Sequence, residues 1–303
     1  MRSFVVVVDG LRLHGLRWDD LGRGCPALLL HGLASNARIW ERTAPALAEG
    51  GLAPVAIDLR GHGLSDKPET GYDLATVAAD LRVVLRDLEL HAPILVGHSW
   101  GAGLALHLAA SDLEGGYAPA ALVLIDGGIS QLDDLPGATW ERVSELLAPP
   151  ALAGMARQDL LKRLSDPSRR WQPDAQSLDI TLANFEVLPD DTVRPHLRHD
   201  HHMQLLRALY DFRTYEALDR VRCPTLVVSA RPPGPRRLEE EAHIQLKDKG
   251  VERARRSIAD LQAEWMENTV HDIPLQRPDA LASMILSFAA RRGLTGSIGS
   301  GRG

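Results

Sequence analysis

The sequence predicts an α/β fold, and three observations predict it. Short, uniformly apolar runs at 27–30, 53–57, 94–96 and 121–125 alternate with helical patterns at 37–49, 74–90 and 100–111. Strands and helices in alternation make parallel βαβ units, whose strands are covered on both faces and so lose the in–out alternation of a half-exposed strand. The composition is that of a packed protein, with 45% apolar and 24% charged residues in 303, enough to bury a core and too apolar for disorder.

Ahead of this region, residues 3–8 and 11–18 read as two strands joined by Asp9-Gly10, a dipeptide that tolerates the positive φ of a tight hairpin. Near residue 128 the βα rhythm stops. From 129 to 219 helical patterns are broken by Pro136, Pro149-Pro150, Pro167, Pro173, Pro189 and Pro195, with no strand pattern, which predicts a helical insertion. The sheet resumes at Pro224-Thr225-Leu226-Val227-Val228, followed by a charged helix, a weaker strand near 261–266 and a last helix from about 278 to 291. The expected organisation is a core of 1–128 and 220–295, an insertion of 129–219, and a mobile Gly/Ser-rich tail at 296–303.

Charge and cysteine content narrow the function classes. A net charge of −6 without a basic block excludes a nucleic-acid footprint; pairs such as Arg169-Arg170, Arg255-Arg256 and Arg291-Arg292 read as solvated faces. Cys25 and Cys223 each precede a proline and stand in no metal or redox spacing, so both read as unpaired buried thiols in a reducing compartment. The apolar run at 4–8 is too short for a signal peptide and no stretch is long enough to span a bilayer. A soluble, cytoplasmic protein is expected.

The chemistry centres on Gly97-His98-Ser99-Trp100-Gly101, a G-x-S-x-G pattern between the apolar run Pro93-Ile94-Leu95-Val96 and an Ala/Leu-rich helical pattern. A strand turning abruptly into a helix there lifts the Ser99 oxygen clear of the sheet as a candidate nucleophile. The Trp100 amide then lies at a helix N-terminus and can face a developing oxyanion. His31-Gly32-Leu33 follows the 27–30 run and offers the Leu33 amide as second oxyanion donor. His271, in Asn268-Thr269-Val270-His271-Asp272-Ile273-Pro274, lies in the loop after the last predicted strand; such loops emerge at the carboxyl edge of an open α/β sheet, where Ser99 also sits. A neutral imidazole there is the natural acceptor for the serine proton.

Together with Asp58-Leu59-Arg60-Gly61-His62-Gly63-Leu64-Ser65-Asp66-Lys67-Pro68, these motifs resemble the α/β-hydrolase superfamily, specifically its capped serine hydrolases, in the family's own order along most of the chain outside the insertion. The resemblance implies the α/β-hydrolase fold, a mostly parallel central sheet flanked by helices, with 58–68 as scaffold and 129–219 as a helical cap over the pocket. One departure stands out. The family usually places its acid just after the seventh strand, but this chain reads Val227-Val228-Ser229-Ala230-Arg231-Pro232 with no carboxylate. Two replacements are available, Asp126 at the end of Leu122-Val123-Leu124-Ile125 and the Glu239-Glu240-Glu241 run. Asp126 has the better physical case, since a strand-end carboxylate is rigidly held and the order Ser…Asp…His is kept; the Glu run reads as a solvated helix start.

These residues predict a serine hydrolase acting on a small or medium ester, lactone or thioester through an acyl-serine. No cofactor or metal is required, and the partner is a small ester-like molecule. A serine at 99 disfavours the branches of the family with a carboxylate nucleophile. The same fold also supports C–C hydrolysis, acyl transfer or a lyase reaction, or a ligand-binding receptor without turnover. His196, His199, Asp200, His201 and His202 form one further cluster, read as a polar cap helix with one imidazole lining the pocket rather than as a metal site, because no second ligand cluster lies nearby in sequence. Trp40, Trp140, Trp171 and Trp265 read as packing.

Overall fold

The computed structural model of the chain describes residues 1–18, 24–111, 113, 115–236 and 238–296. Eight strands form the central sheet: β1 Arg2–Val8, β2 Leu11–Arg17, β3 Cys25–Leu30, β4 Leu52–Ile57, β5 Ile94–His98, β6 Ala121–Ile125, β7 Thr225–Arg231 and β8 Leu261–Glu267. Their spatial order is β1-β2-β4-β3-β5-β6-β7-β8. The β1/β2 and β2/β4 pairs are antiparallel and every later pair is parallel. The hairpin turn carries φ 49° at Asp9 and φ 85° at Gly10, as a two-residue turn matched to strand twist requires. Every residue of β4, β5 and β6 is buried, which is why their sequences are apolar throughout.

Each strand divides its side chains between two layers. Leu28 and Leu30 of β3 pack with α2 (Leu74–Asp87) and α3 (Trp100–Ala109) on one face. Ala27 and Leu29 pack on the other face with α1 (Ala44–Glu49) and the helix Pro278–Ala290. Because β4 lies on one side of β3 and β5 on the other, the loops after β3 and β5 diverge and open a crevice at the carboxyl edge, where open α/β sheets bind ligands.

Several expectations change on inspection. The 37–49 pattern is a single-turn 3-10 helix, Ala37–Trp40, followed by a short α-helix, Ala44–Glu49. The 129–219 segment holds helices at Trp140–Leu147, Arg157–Leu164, Ala175–Leu182, His199–Asp211 and Thr214–Leu218. It also contains an antiparallel hairpin, Phe185–Val187 with Val193–Pro195, where no strand was expected. Pro189 lies in its turn and Pro195 ends its second strand, so neither breaks a helix, and Asp191 takes φ 60° in the turn. Cys25 and Cys223 are free but only half-buried. The expected tail lies outside the described residues except Gly296, whose amide donates to Gly51 O at 3.0 Å. Among the described residues no helix is long and apolar enough to cross a membrane.

Asp58, at the end of β4, ties this scaffold together. Its buried carboxylate accepts from the Ala37 amide (2.6 Å), the Leu64 amide (2.9 Å) and His14 Nδ1 (2.8 Å). Burial disfavours the charged carboxylate, but the His14 bond and the two amide bonds outweigh it and hold the pKa below the usual carboxylate range. A carboxyl with a lower pKa folded than unfolded adds stability that is present above an unfolded value of about 3.9 and lost as pH falls through the folded value. Asp58→Ala leaves the buried Ala37 amide and the buried His14 ring N–H unpaired and is expected to cost about 2–5 kcal/mol. Urea unfolding at neutral pH measures it, and a change below about 0.5 kcal/mol, the range of neutral surface substitutions, would contradict the assignment.

Candidate active site

Ser99 stands between β5 and α3 with φ 55° and ψ −119°, a conformation that costs a non-glycine residue roughly 1–3 kcal/mol. The surroundings enforce it. The Ser99 amide donates to Ile125 O at 2.8 Å. A Cβ at Gly101 would lie 2.5 Å from the Leu30 and His31 carbonyl oxygens, and one at Gly97 would overlap the Gly101 carbonyl. Only hydrogen atoms at both positions let strand, turn and helix approach this closely.

The loop after β8 delivers His271. Thr269 N donates to Arg231 O (3.0 Å) and Val270 N to Gln276 Oε1 (2.6 Å). His98 Nε2–H, from the pentapeptide itself, donates to His271 O at 2.9 Å. His98 is buried, and desolvation, with His271 beside it, pushes its pKa down to about 4; it is a neutral donor that braces the loop.

Three predicted residues come together here. Ser99 Oγ lies 2.9 Å from His271 Nε2, and His271 Nδ1 lies 2.6 Å from Asp126 Oδ2. Since an ionised carboxylate only accepts, the proton resides on Nδ1 and Nε2 is the acceptor for the Ser99 hydroxyl. Asp126 ends β6 with φ 48° and a fully buried side chain. Its other oxygen, Oδ1, accepts from the Ala230 amide and from Lys247 Nζ, both at 2.7 Å. Burial opposes ionisation of Asp126, but His271 and Lys247 together hold its pKa well below the carboxylate range. Desolvation likewise pulls His271 down, yet Asp126 outweighs it and raises the pKa above 6.5, with Lys247 acting in the opposite sense. About half of the His271 side chain, 53%, faces the cleft.

The other acid candidates are engaged elsewhere. Glu240 pairs with Arg170 at 2.6 Å and Glu241 with Arg236 at 3.2 Å; the Glu239 side chain lies outside the described residues. Lys247 was not anticipated. Its signal is present, since Ile244, Lys247, Val251 and Ala254 share one face of the helix Leu238–Ser257, a charge on an otherwise apolar stripe.

For the two oxyanion candidates, Leu33 lines the cavity beside Ser99. Trp100 opens α3, where the amide has no helical acceptor. Among the described residues neither amide donates to another group. His31 braces the Leu33 turn: its Nδ1–H donates to Gly32 O (2.7 Å) and Nε2 accepts from Leu59 N (3.1 Å). Burial keeps it neutral by lowering its pKa against the pull of Asp58.

The cavity over Ser99 measures about 130 Å³ and is walled by Leu33, Ser99 and His271 from the core and by Ile180, Thr181 and Asn184 from the 129–219 segment. That is smaller than the roughly 300–1,000 Å³ of a drug-sized site. No histidine of the 196–202 run lines it. His201 is buried and stacks on Tyr72 at 4.3 Å. The cluster Glu69, Asp200, His201 has donor atoms near one another, but Arg198 already bridges both carboxylates at 2.7 and 3.0 Å. Of the tryptophans, Trp40 is fully buried. Trp265 carries the Arg231 guanidinium over its ring at 4.2 Å.

Comparison with known proteins agrees with this architecture. A sequence profile described as alpha/beta hydrolase family matches residues 27–284. The AB hydrolase superfamily protein YisY of Bacillus subtilis is 30% identical over 163 residues, 50% of this chain and 60% of that protein. The soluble epoxide hydrolase of a Corynebacterium is 35% identical over 130 residues, 43% of this chain and 44% of that one. The chain thus spans less than two thirds of these curated relatives. Among solved structures, E-2-(acetamidomethylene)succinate hydrolase superposes with a TM-score of 0.72 at 23% identity, covering 95% of this chain and 99% of that one. An esterase from Exiguobacterium antarcticum superposes at 0.69 and 23% identity, covering 96% and 100%. At these identities the likeness is one of fold.

The charge arrangement around His271 is testable without a substrate. In a histidine NMR titration, the His271 midpoint is expected above 6.5, higher still in Lys247→Met and lower in Asp126→Asn. A midpoint unmoved by both substitutions would contradict the assigned contacts.

Proposed function

This chain belongs to the alpha/beta hydrolase family, and on that footing we propose that it is a serine-dependent hydrolase of small carboxylic esters, lactones or thioesters. The observation that carries the reading is the unbroken line of hydrogen bonds from Ser99 Oγ through His271 to Asp126, opening onto a cavity.

Ser99 Oγ attacks the carbonyl carbon of the substrate while His271 Nε2 takes its proton. Asp126 stabilises the imidazolium so formed and keeps the ring in the tautomer that exposes Nε2. The Leu33 and Trp100 amides hold the oxygen on which negative charge develops, each contributing on the order of a hundred-fold or more to the rate. Collapse of the tetrahedral intermediate expels the alcohol or thiol, which receives the proton from His271. Water, deprotonated by the same imidazole, then attacks the acyl-serine; a second tetrahedral intermediate releases the carboxylic acid and restores Ser99.

The 129–219 segment acts as a cap, with the helix Ala175–Leu182 and the residues after it forming the roof of the cavity. Ion pairs Arg38–Asp179 (2.6 Å) and Arg42–Asp174 (2.8 Å) support this role by fastening the helix to the core. The cavity's size favours small acyl groups. A soluble cytoplasmic enzyme that needs no cofactor or metal fits this chemistry.

Two experiments test the proposal. A fluorophosphonate is expected to label one serine per chain, lost in Ser99→Ala, which lowers kcat/KM for an activated ester by at least about 10³-fold; absence of both labelling and turnover over an ester and lactone panel would overturn it. Because only neutral His271 accepts the proton, kcat/KM is expected to fall as pH drops through a midpoint above 6.5. A rate that stays flat down to pH values near 5, more than a unit below the ordinary imidazole value, would remove His271 from the role of base.

A further inference from the structure

Asn184, in the wall of the cavity beside Ser99, is a polar group whose orientation is set by the protein itself. Asn36 caps the short helix Ala37–Trp40, its Oδ1 accepting the Arg38 amide at 2.8 Å. That bond distinguishes the two ends of the Asn36 amide. Its Nδ2 is left to donate to Ile180 O (3.4 Å) and to Asn184 Oδ1. Asn184 therefore turns its oxygen toward Asn36, and its Nδ2 is the end that remains; among the described residues nothing accepts from it. The Asn184 backbone is pinned on both sides, its N donating to Thr181 O at 3.1 Å and its O accepting from His196 N at 2.9 Å. Asn184 lines the same cavity as Ser99 and His271.

Around it the wall mixes aliphatic Leu33, Ile39, Ile180 and Leu275 with Ser35 and with Thr181, whose hydroxyl already donates to Ser177 O at 2.8 Å. Among the described lining residues there is no lysine or arginine, and Asp272 contributes a carboxylate. A substrate carboxylate would meet that negative charge with no cation to offset it.

We infer that Asn184 is a specificity-determining donor, and that the site takes neutral carbonyl substrates bearing a second oxygen acceptor, such as an ether, keto or amide oxygen, that its Nδ2–H reaches. The inference rests on the serine chemistry proposed for Ser99. An alkyl group in the same place would strip water from the Asn184 N–H without replacing its bond, and a site built around a donor discriminates against such analogues.

The test uses two p-nitrophenyl O-ethyl phosphonates differing only in the group on phosphorus, butyl or the isosteric 2-methoxyethyl. Inactivation rates are compared in wild type, Asn184→Leu and Asn184→Asp, with Ser99 adducts read by mass spectrometry. Asn184→Asp keeps the acceptor for Asn36 and removes the N–H, so it guards against a merely collapsed pocket. The methoxyethyl-to-butyl rate ratio is expected to fall roughly 10- to 100-fold in both variants. A ratio unchanged in both, or equal slowing with both probes, overturns the inference while leaving Ser99 chemistry intact. Absence of a Ser99 adduct from either probe in wild type overturns the hydrolase reading and this inference with it.

Discussion

Ser99 and Asp126 project from the ends of adjacent parallel strands because the backbone beneath them is packed too closely for anything else. The last paired residues of β5 and β6 are His98 and Ile125, so the two residues that follow stand side by side. Both adopt positive φ, 55° and 48°, although neither is glycine. Each such residue costs roughly 1–3 kcal/mol in isolation, and the cost is offset by contacts that exist only when the strands are in place. The Gly97 and Gly101 approaches and the Ser99 amide bond to Ile125 O are among them. A left-handed turn at each strand end sets both side chains above the sheet at the crevice opened by the strand order.

His271 is the residue that must travel. It follows β8, two strands beyond β6, and the loop has to reach back across β7 to meet Asp126. The Thr269 bond to Arg231 and the His98 bond to the His271 carbonyl bring it there. The end of β7, which carries no acid, supplies the Ala230 amide to Asp126 Oδ1, and the following helix adds Lys247. This arrangement sets a charge balance. His271 and Lys247 keep Asp126 ionised in a buried site, while Lys247 tempers how strongly Asp126 holds a proton on His271. A base that must both take and return a proton works best when neither form is held too tightly.

How much of this was legible in the sequence varies with how local the signal is. The Ser99 turn is encoded within five residues, since a strand, two glycines and a helix start lie side by side in the chain. The alternating core was equally plain, because doubly covered strands have to be apolar. In the sequence Asp126 competes with the Glu run because a pairing across 145 residues has no local signature, and only the fold brings it to His271. Lys247 was missed for the same reason, despite its place on an apolar helix face. The hairpin in the 129–219 segment has no sequence signal because strands of three residues are too short to display a period of two, and Pro189 in its turn and Pro195 at its end read as helix breakers. The alignment of Asn36 with Asn184 spans 148 residues and joins two segments that sequence patterns treat separately.

A crystal structure of the phosphonylated protein would show whether Ser99, His271 and the two amides act together, since the bound phosphonate mimics the tetrahedral intermediate. The expected result is a covalent bond to Ser99 Oγ, the phosphoryl oxygen within about 3 Å of both the Leu33 and Trp100 amides, and His271 Nε2 beside the ester oxygen with Asp126 still bound to Nδ1. Phosphonylation at another residue, or a phosphoryl oxygen turned away from both amides, would contradict it.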